Sequence, residues 1–507
     1  MGAKYCFYIL LAPWSSQLFA AELVRGPYLQ LGTPTSVTVK WRTDVPTDSL
    51  VRYGFDASDP GDLVIGYNLT TEHEVTLADL APDTKYFYSV GSTEQMLAGG
   101  EPTFYFRTFP IPGQTRPTRI WAIGDCGTAS VGYPGSAMVR DAYYAFAGTN
   151  HTDVWLMLGD NAYQYGTDSE YQTAVFDTYR DILRNTILWS TLGNHETYGL
   201  SQDERFAYHN IFSLPAEGEA GGLRSGTENY YSFNHANIHF VCLDSEISDL
   251  GTNGAMWMWL EADLAANTNE WLIAFWHSPP YTMGSHNSDD FTDSAGRLVF
   301  MRENFLPLLE SHGVDLVLGG HSHCYERSYL INGHYGYSFS LIPEMVKDSG
   351  NGRVSSTGAY LKQVAGGEGA VYVVAGSSGW ATHLQGAHPA MYLTLLEMGS
   401  MILDINGNRL DAKFLRETGA IEDHFAIIKG GAPEPFRICT LELNGFEVIA
   451  RWKSEPGHDY TVEQATSLTP PNWLPFSSPI RAYGVTTSWT NYIDSTEQAF
   501  YRVQRLH

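Results

Sequence analysis

Five short passages of this 507-residue chain each carry a residue type that ligates metals, and in four of them it directly follows an apolar run. They read Ile120-Trp121-Ala122-Ile123-Gly124-Asp125-Cys126-Gly127, then Trp155-Leu156-Met157-Leu158-Gly159-Asp160-Asn161-Ala162-Tyr163. Leu192-Gly193-Asn194-His195-Glu196, Ile273-Ala274-Phe275-Trp276-His277 and Leu316-Val317-Leu318-Gly319-Gly320-His321-Ser322-His323 follow. A short apolar run bounded by Gly reads as a buried strand. In an open α/β sheet, the residue just past the carboxyl end of such a strand faces the crevice where ligands bind. Two Asp, one Tyr, one Asn and three His are thereby delivered to one rim. That is a mixed oxygen and nitrogen donor set large enough for two metal ions.

The passages sit in a chain whose rhythm changes twice. Residues 22–110 alternate in the manner of an all-β domain, as in Val37-Thr38-Val39-Lys40-Trp41-Arg42. The segment Leu80-Ala81-Pro82-Asp83-Thr84-Lys85-Tyr86 resembles the corner motif of fibronectin type III sandwiches, with Trp41 as core Trp and Tyr86 as corner Tyr. Thr108–Arg116, rich in Pro and Gly, reads as a linker. From there to residue 429, strands alternate with helices. Strands are expected at 118–123, 154–158, 187–192, 238–243, 271–276 and 314–318, and helices at 136–147, 168–184, 254–267 and 297–311. Gly430-Gly431-Ala432-Pro433-Glu434-Pro435 is a second linker. Residues 436–507 alternate again and read as a small β-sandwich with a sorting, carbohydrate-contacting or packing role.

Length alone argues for about three domains. With 56 acidic against 30 basic residues the net charge is −26, which argues against nucleic acid and anionic membranes as partners. Residues 1–21 carry a lone Lys4, an apolar run and small residues at Ala20 and Ala21, the pattern of a secretory signal. The expected location is therefore secreted or periplasmic. Cys126 and Cys324 each neighbour a proposed ligand; the sequence leaves a disulfide, a thiolate ligand or two inert thiols open.

The order Gly-Asp-x-Gly, Gly-Asp-x-x-Tyr, Gly-Asn-His-Glu, a strand ending in His, then Gly-His-x-His resembles the calcineurin-like metallophosphoesterases. The Tyr that closes the second motif resembles their purple acid phosphatase branch. The resemblance runs from about Leu23 to about Lys429. It implies a central α/β domain over 117–429 with two facing sheets flanked by helices, preceded by the fibronectin type III-like β-sandwich.

It also implies roles. Asp160 bridges two metals; Asp125, Tyr163 and His323 complete the site of Fe(III); Asn194, His277 and His321 hold a second divalent ion, Fe, Zn or Mn. A phenol ionises near pH 10 unless a strongly charged cation helps it, and a ferric ion does so far better than Zn²⁺. His195 and His286 are the catalytic residues of this reading, contacting phosphate and the leaving group. Asn287 departs from plant members, which carry a second His there. Glu196 reads as a solvated or hydrogen-bonded carboxylate beside the ligands. Gly376-Ser377-Ser378-Gly379 reads as a tight turn rather than a phosphate nest, and Glu326-Arg327 and His388 as structural. The activity implied is acid hydrolysis of small phosphate monoesters by a metal-bound hydroxide. A phosphodiesterase on the same scaffold is the first alternative. A secreted binding protein around an inactive hydrolase is the second, although every expected ligand position is filled.

Overall fold

A computed structural model describes residues 20–198, 207–363 and 368–430, and then 438–444, 446–454, 459–467, 472–482, 486–492 and 499–506. Most of the candidate signal segment lies outside the described residues. Among the described residues no helix is long and apolar enough to cross a membrane.

The first part is a six-stranded β structure. Its strand Val37–Gly54 pairs along most of its length with Asp62–Leu77, with Leu23–Gln30 through its first half and with Lys85–Gly91 through its second. Inward-facing Val39, Trp41, Val51, Val75, Leu77, Val90 and Phe106 from both halves share one core. The Tyr86 hydroxyl accepts the Ala81 N–H at 2.9 Å, closing the corner that the sequence motif announces.

Two seven-stranded sheets follow. In one, Thr118–Ile123, Val154–Met157 and Leu188–Ser190 run parallel at an edge, and Gly399–Asn406 joins Thr118–Ile123 antiparallel. In the other, Ile238–Cys242, Trp271–Phe275, Leu316–Gly319 and Val371–Ala375 run parallel. Ile273, Phe275, Leu316, Leu318, Val371 and Val373 meet Ile120, Ala122, Leu156, Met401 and Leu403 between the sheets. The alternate residues Leu272, Ala274, Val317, Tyr372 and Val374 pack on Met256, Trp259, Leu260, Met301, Phe305 and Leu309 from the covering helices. Strands covered on both faces must be apolar at every position, hence the unbroken runs in the sequence.

Two expected helices are interrupted. The stretch 168–184 becomes Asp168–Tyr171, a π-turn at Gln172–Asp177 and Arg180–Leu183. The Thr178 hydroxyl bonds back to the Thr173 carbonyl, Arg140 takes the Thr178 carbonyl, and buried Tyr179 packs on Trp121 and Trp155. In 297–311 a π-turn at Met301–Phe305 precedes Pro307, which has no N–H to offer the Glu303 carbonyl.

Met1–Gly430 forms one compact unit and Gly431–His507 another. The 108–116 stretch lies inside the first unit and is tied down: Thr108 donates to Ala81, Gly113 N–H to Ala236, and Arg116 pairs with Asp153. The β structure also docks directly. Tyr28 donates to the Ile211 carbonyl, Gln30 to that of Leu188, and Tyr88 to that of Arg184. Arg25 and Arg42 both fork onto Asp168. Burial pushes the Asp168 carboxyl up, but hydrogen bonds from Arg42 and Arg25 outweigh it and hold the group at about 2.

In the second unit, Ile438–Asn444, Glu447–Lys453 and Thr486–Tyr492 make a three-stranded sheet. Asp459–Ala465 is the hub of a second sheet, and Trp452, Tyr460, Val462 and Ala482 form the core.

Candidate metal centre

The parallel strands of both sheets end at one crevice, and the side chains that follow them converge there. Asp125, Asp160 and His321 have φ of +55°, +52° and +65°. Residues with a Cβ pay for the left-handed region in steric energy, and such outliers concentrate at functional sites. The glycines of the motifs serve close approach. A Cβ on Gly193 would stand 2.3 Å from Asp160 Oδ1, and one on Gly159 2.5 Å from His277 Nδ1. Each ligand packs against the backbone just ahead of another ligand.

All seven expected donors meet. The Tyr163 hydroxyl lies 3.1 Å from Asp160 Oδ2, 3.3 Å from Asp125 Oδ1 and 3.5 Å from His323 Nε2. His323 Nε2 is also 3.3 Å from Asp125 Oδ1. On the other side, His277 Nε2 is 3.0 Å from Asn194 Oδ1, 3.2 Å from His321 Nδ1 and 3.5 Å from Asp160 Oδ1. Asp160 thus faces both groups. His277 Nδ1 sits 2.8 Å from the Leu158 carbonyl, which only a protonated Nδ1 can satisfy, so Nε2 is left with its lone pair inward.

The donor set fits metal ions. Asp125 and Asp160 are fully buried, yet among the described residues neither pairs with Lys or Arg; the basic side chains beside them are histidines. Two buried carboxylates without a permanent counter-charge are costly unless a cation supplies one. Burial, then the Asp160 and Asp125 charges, pushes the Tyr163 phenol well above its ordinary range, so its ionisation too calls for a cation.

His195 follows ligand-bearing Asn194. Its N–H donates to Asp160 Oδ1 (2.9 Å), its Nδ1 meets the Gln164 carbonyl (2.9 Å), and its Nε2 stands 3.8 Å from Asp160 Oδ2. The ring of His286 lies on that of His321, centroids 3.8 Å apart. Asn287 gives its backbone N–H to Asp293, and its side-chain Oδ1 accepts the Asp289 N–H.

Glu196 is buried, not solvated. Its carboxylate accepts four backbone N–H groups, from Gly193, Asp160, Asn161 and Ala162, and so ties two ligand loops together. Burial and the Asp160 charge push it up to about 7 against those donors. Three further side chains carry no signal in the local sequence. Tyr198 accepts from Asn194 Nδ2 and so turns its Oδ1 inward. Trp380 donates toward His323 and lies 5.2 Å from the Tyr163 ring. Asp293 holds His286. Cys126 and Cys324 are free buried thiols. Ser378 accepts the Gly124 N–H and donates to the Gly399 carbonyl, a structural turn contact.

Residues 118–325 match the calcineurin-like phosphoesterase family profile, and residues 24–108 that of the purple acid phosphatase N-terminal domain. Purple acid phosphatase 15 of Arabidopsis thaliana is 29% identical over 56% of this chain and 53% of its own length, so the match spans about half of that relative. Acid phosphatase type 7 of Homo sapiens is 29% identical, with 59% and 69% covered. Among solved structures, a purple acid phosphatase from yellow lupin (Lupinus luteus) seeds superposes with a TM-score of 0.63 at 19% identity. It covers 80% of this chain and 74% of its own, a likeness of fold.

Proposed function

We propose that this chain, which belongs to the purple acid phosphatase branch of the calcineurin-like phosphoesterases, hydrolyses small phosphate monoesters at a binuclear metal centre. The observation that carries the reading is the convergence of two buried carboxylates, a phenol, an amide and three imidazoles with no Lys or Arg among their described partners. Asp125, Tyr163 and His323 would hold one ion, Asn194, His277 and His321 the other, and Asp160 both. Bound there, the ions supply a nucleophile at mild pH and positive charge for the phosphoryl oxygens. Tyr163 favours Fe(III) at its own position, because a phenol this deeply buried among carboxylates ionises only against a strongly charged cation. The second ion is divalent Fe, Zn or Mn.

The protein's own groups do the rest. His195, with Nδ1 committed to the Gln164 carbonyl, offers Nε2 to the phosphate and can pass a proton to the leaving oxygen. His286, on the same rim, assists it. Trp380 packs its ring against Tyr163 and His323. This reading takes 1–21 as a secretory signal and the protein as extracytoplasmic, with 22–110, 117–429 and 436–507 as its domains.

Metal analysis and a visible spectrum of purified protein, followed by mono- and diester assays, test the proposal. Two ions per chain and monoester turnover are expected. One tightly bound ion, or hydrolysis of diesters alone, would overturn it.

A further inference from the structure

His286 is held by a relay that reaches back to a proposed ligand. Its Nδ1 lies 2.8 Å from Asp293 Oδ1, which also accepts the Ser294 hydroxyl at 2.7 Å. Asp293 Oδ2 accepts the Asn287 N–H at 2.8 Å. Ser294 Oγ in turn stands 2.6 Å from His321 Nε2, the nitrogen pointing away from His277. The protons along this chain can be assigned. A His321 that offers its Nδ1 lone pair to an ion carries its proton on Nε2 and must donate it to Ser294 Oγ. Ser294 then spends its only proton on Asp293, and the carboxylate, an acceptor only, requires the proton of His286 on Nδ1. His286 Nε2 is left without a partner among the described residues, on a side chain 30% exposed.

The backbone is bent to make this contact. Ser294 and Ala295 have φ of +50° and +55°, followed by Gly296 at +80°. Two consecutive non-glycine residues in the left-handed region are unfavourable, and this strain falls where the relay meets the ligand.

From this geometry we infer that Asp293 and Ser294 are positioning residues that fix the tautomer and orientation of His286 against His321, so that Nε2 alone faces substrate. The inference rests on the assignment of His286 to the substrate side of the metal centre.

Two measurements test it, one of them independent of turnover. In metal-free full-length protein with ¹⁵N-labelled histidine, His286, assigned from the His286→Ala spectrum, should carry its neutral-form proton on Nδ1. Asp293→Ala should move it to Nε2, and Asp293→Asn, which keeps an acceptor oxygen, should largely restore it. In metal-loaded protein, Asp293→Ala should lower kcat for an alkyl phosphate by about tenfold, the scale of a lost proton-transfer contribution. KM should change little and two ions per chain should remain. Added to His286→Ala, it should cost nothing further. Ser294→Ala, a milder change, should give a smaller loss of the same kind and guards against misfolding of the Asp293 variants. An unchanged tautomer, loss of metal in Asp293→Asn, or additive losses in the double variant would overturn the inference. A wild type that hydrolyses no phosphate ester would overturn the proposed function instead, and the tautomer measurement would still decide the role of Asp293.

Discussion

Asp160 is the residue on which both halves of the centre depend, since its two oxygens face different donor groups. Asp160→Ala should therefore lose both ions and all measurable turnover; metal analysis that finds one ion retained would contradict the shared position. On the proposed Fe(III) assignment, Tyr163 decides colour. A tyrosinate on Fe(III) gives a visible charge-transfer band that tyrosine on Zn²⁺ does not, so Tyr163→Phe should bleach the protein while part of the hydrolysis survives. A variant that kept the band would place the chromophore elsewhere. Glu196 tests the scaffold beneath them. Replacing its carboxylate by an amide turns an NH₂ group toward N–H donors that now lack an acceptor. Glu196→Gln should lower stability by about 1–3 kcal/mol, the cost of an unsatisfied buried polar group, read from denaturant unfolding of the metal-free protein. An unchanged midpoint would mean that the four N–H contacts matter little.

At the scale of elements, the clamp of Arg25 and Arg42 on Asp168 links the first β structure to the segment that follows Tyr163. The sign of its pH dependence follows from the carboxyl lying below its unfolded value. The stabilisation is present above about pH 4 and is lost as pH falls through about 2. Because Asp168 is partly exposed, solvent and salt weaken the clamp. Asp168→Ala should lower the melting temperature at pH 6, and the difference from wild type should shrink toward pH 2. An equal difference at both pH values would rule the ion pairs out as its source.

At the scale of the whole molecule, the two candidate linkers fall differently with respect to the two compact units. Thr108–Arg116 is pinned by hydrogen bonds within the first compact unit, whereas Gly430–Pro435 falls at the boundary between the two units. Exposed Gly- and Pro-rich connections with few crossing contacts are nicked first. Limited proteolysis should cut near 430–437 before 108–116, and the larger fragment should keep its metals and activity. A first cut at 108–116 would mean that the docking of the β structure is weaker than its contacts suggest.

Much of this molecule is legible in the linear sequence for one reason: strand position and ligand position are coupled over short distances. An apolar run covered on both faces announces a strand such as Leu316–Gly319, and the polar residue past its end has one crevice to face. The strand positions, to within about two residues at their starts, and the seven candidate donors therefore come from local pattern. The interruption at 172–179 does not, because helical periodicity is intact there and the break comes from Arg140 and Trp155, distant in the chain. Likewise Asp293, Ser294 and Trp380 enter the site only because separate loops close on it, and Glu196 is buried only because two ligand loops bring their N–H groups to it. A side chain's chemistry is written in its own residue type, but its partners are set by contacts between segments far apart, and those only the tertiary structure decides.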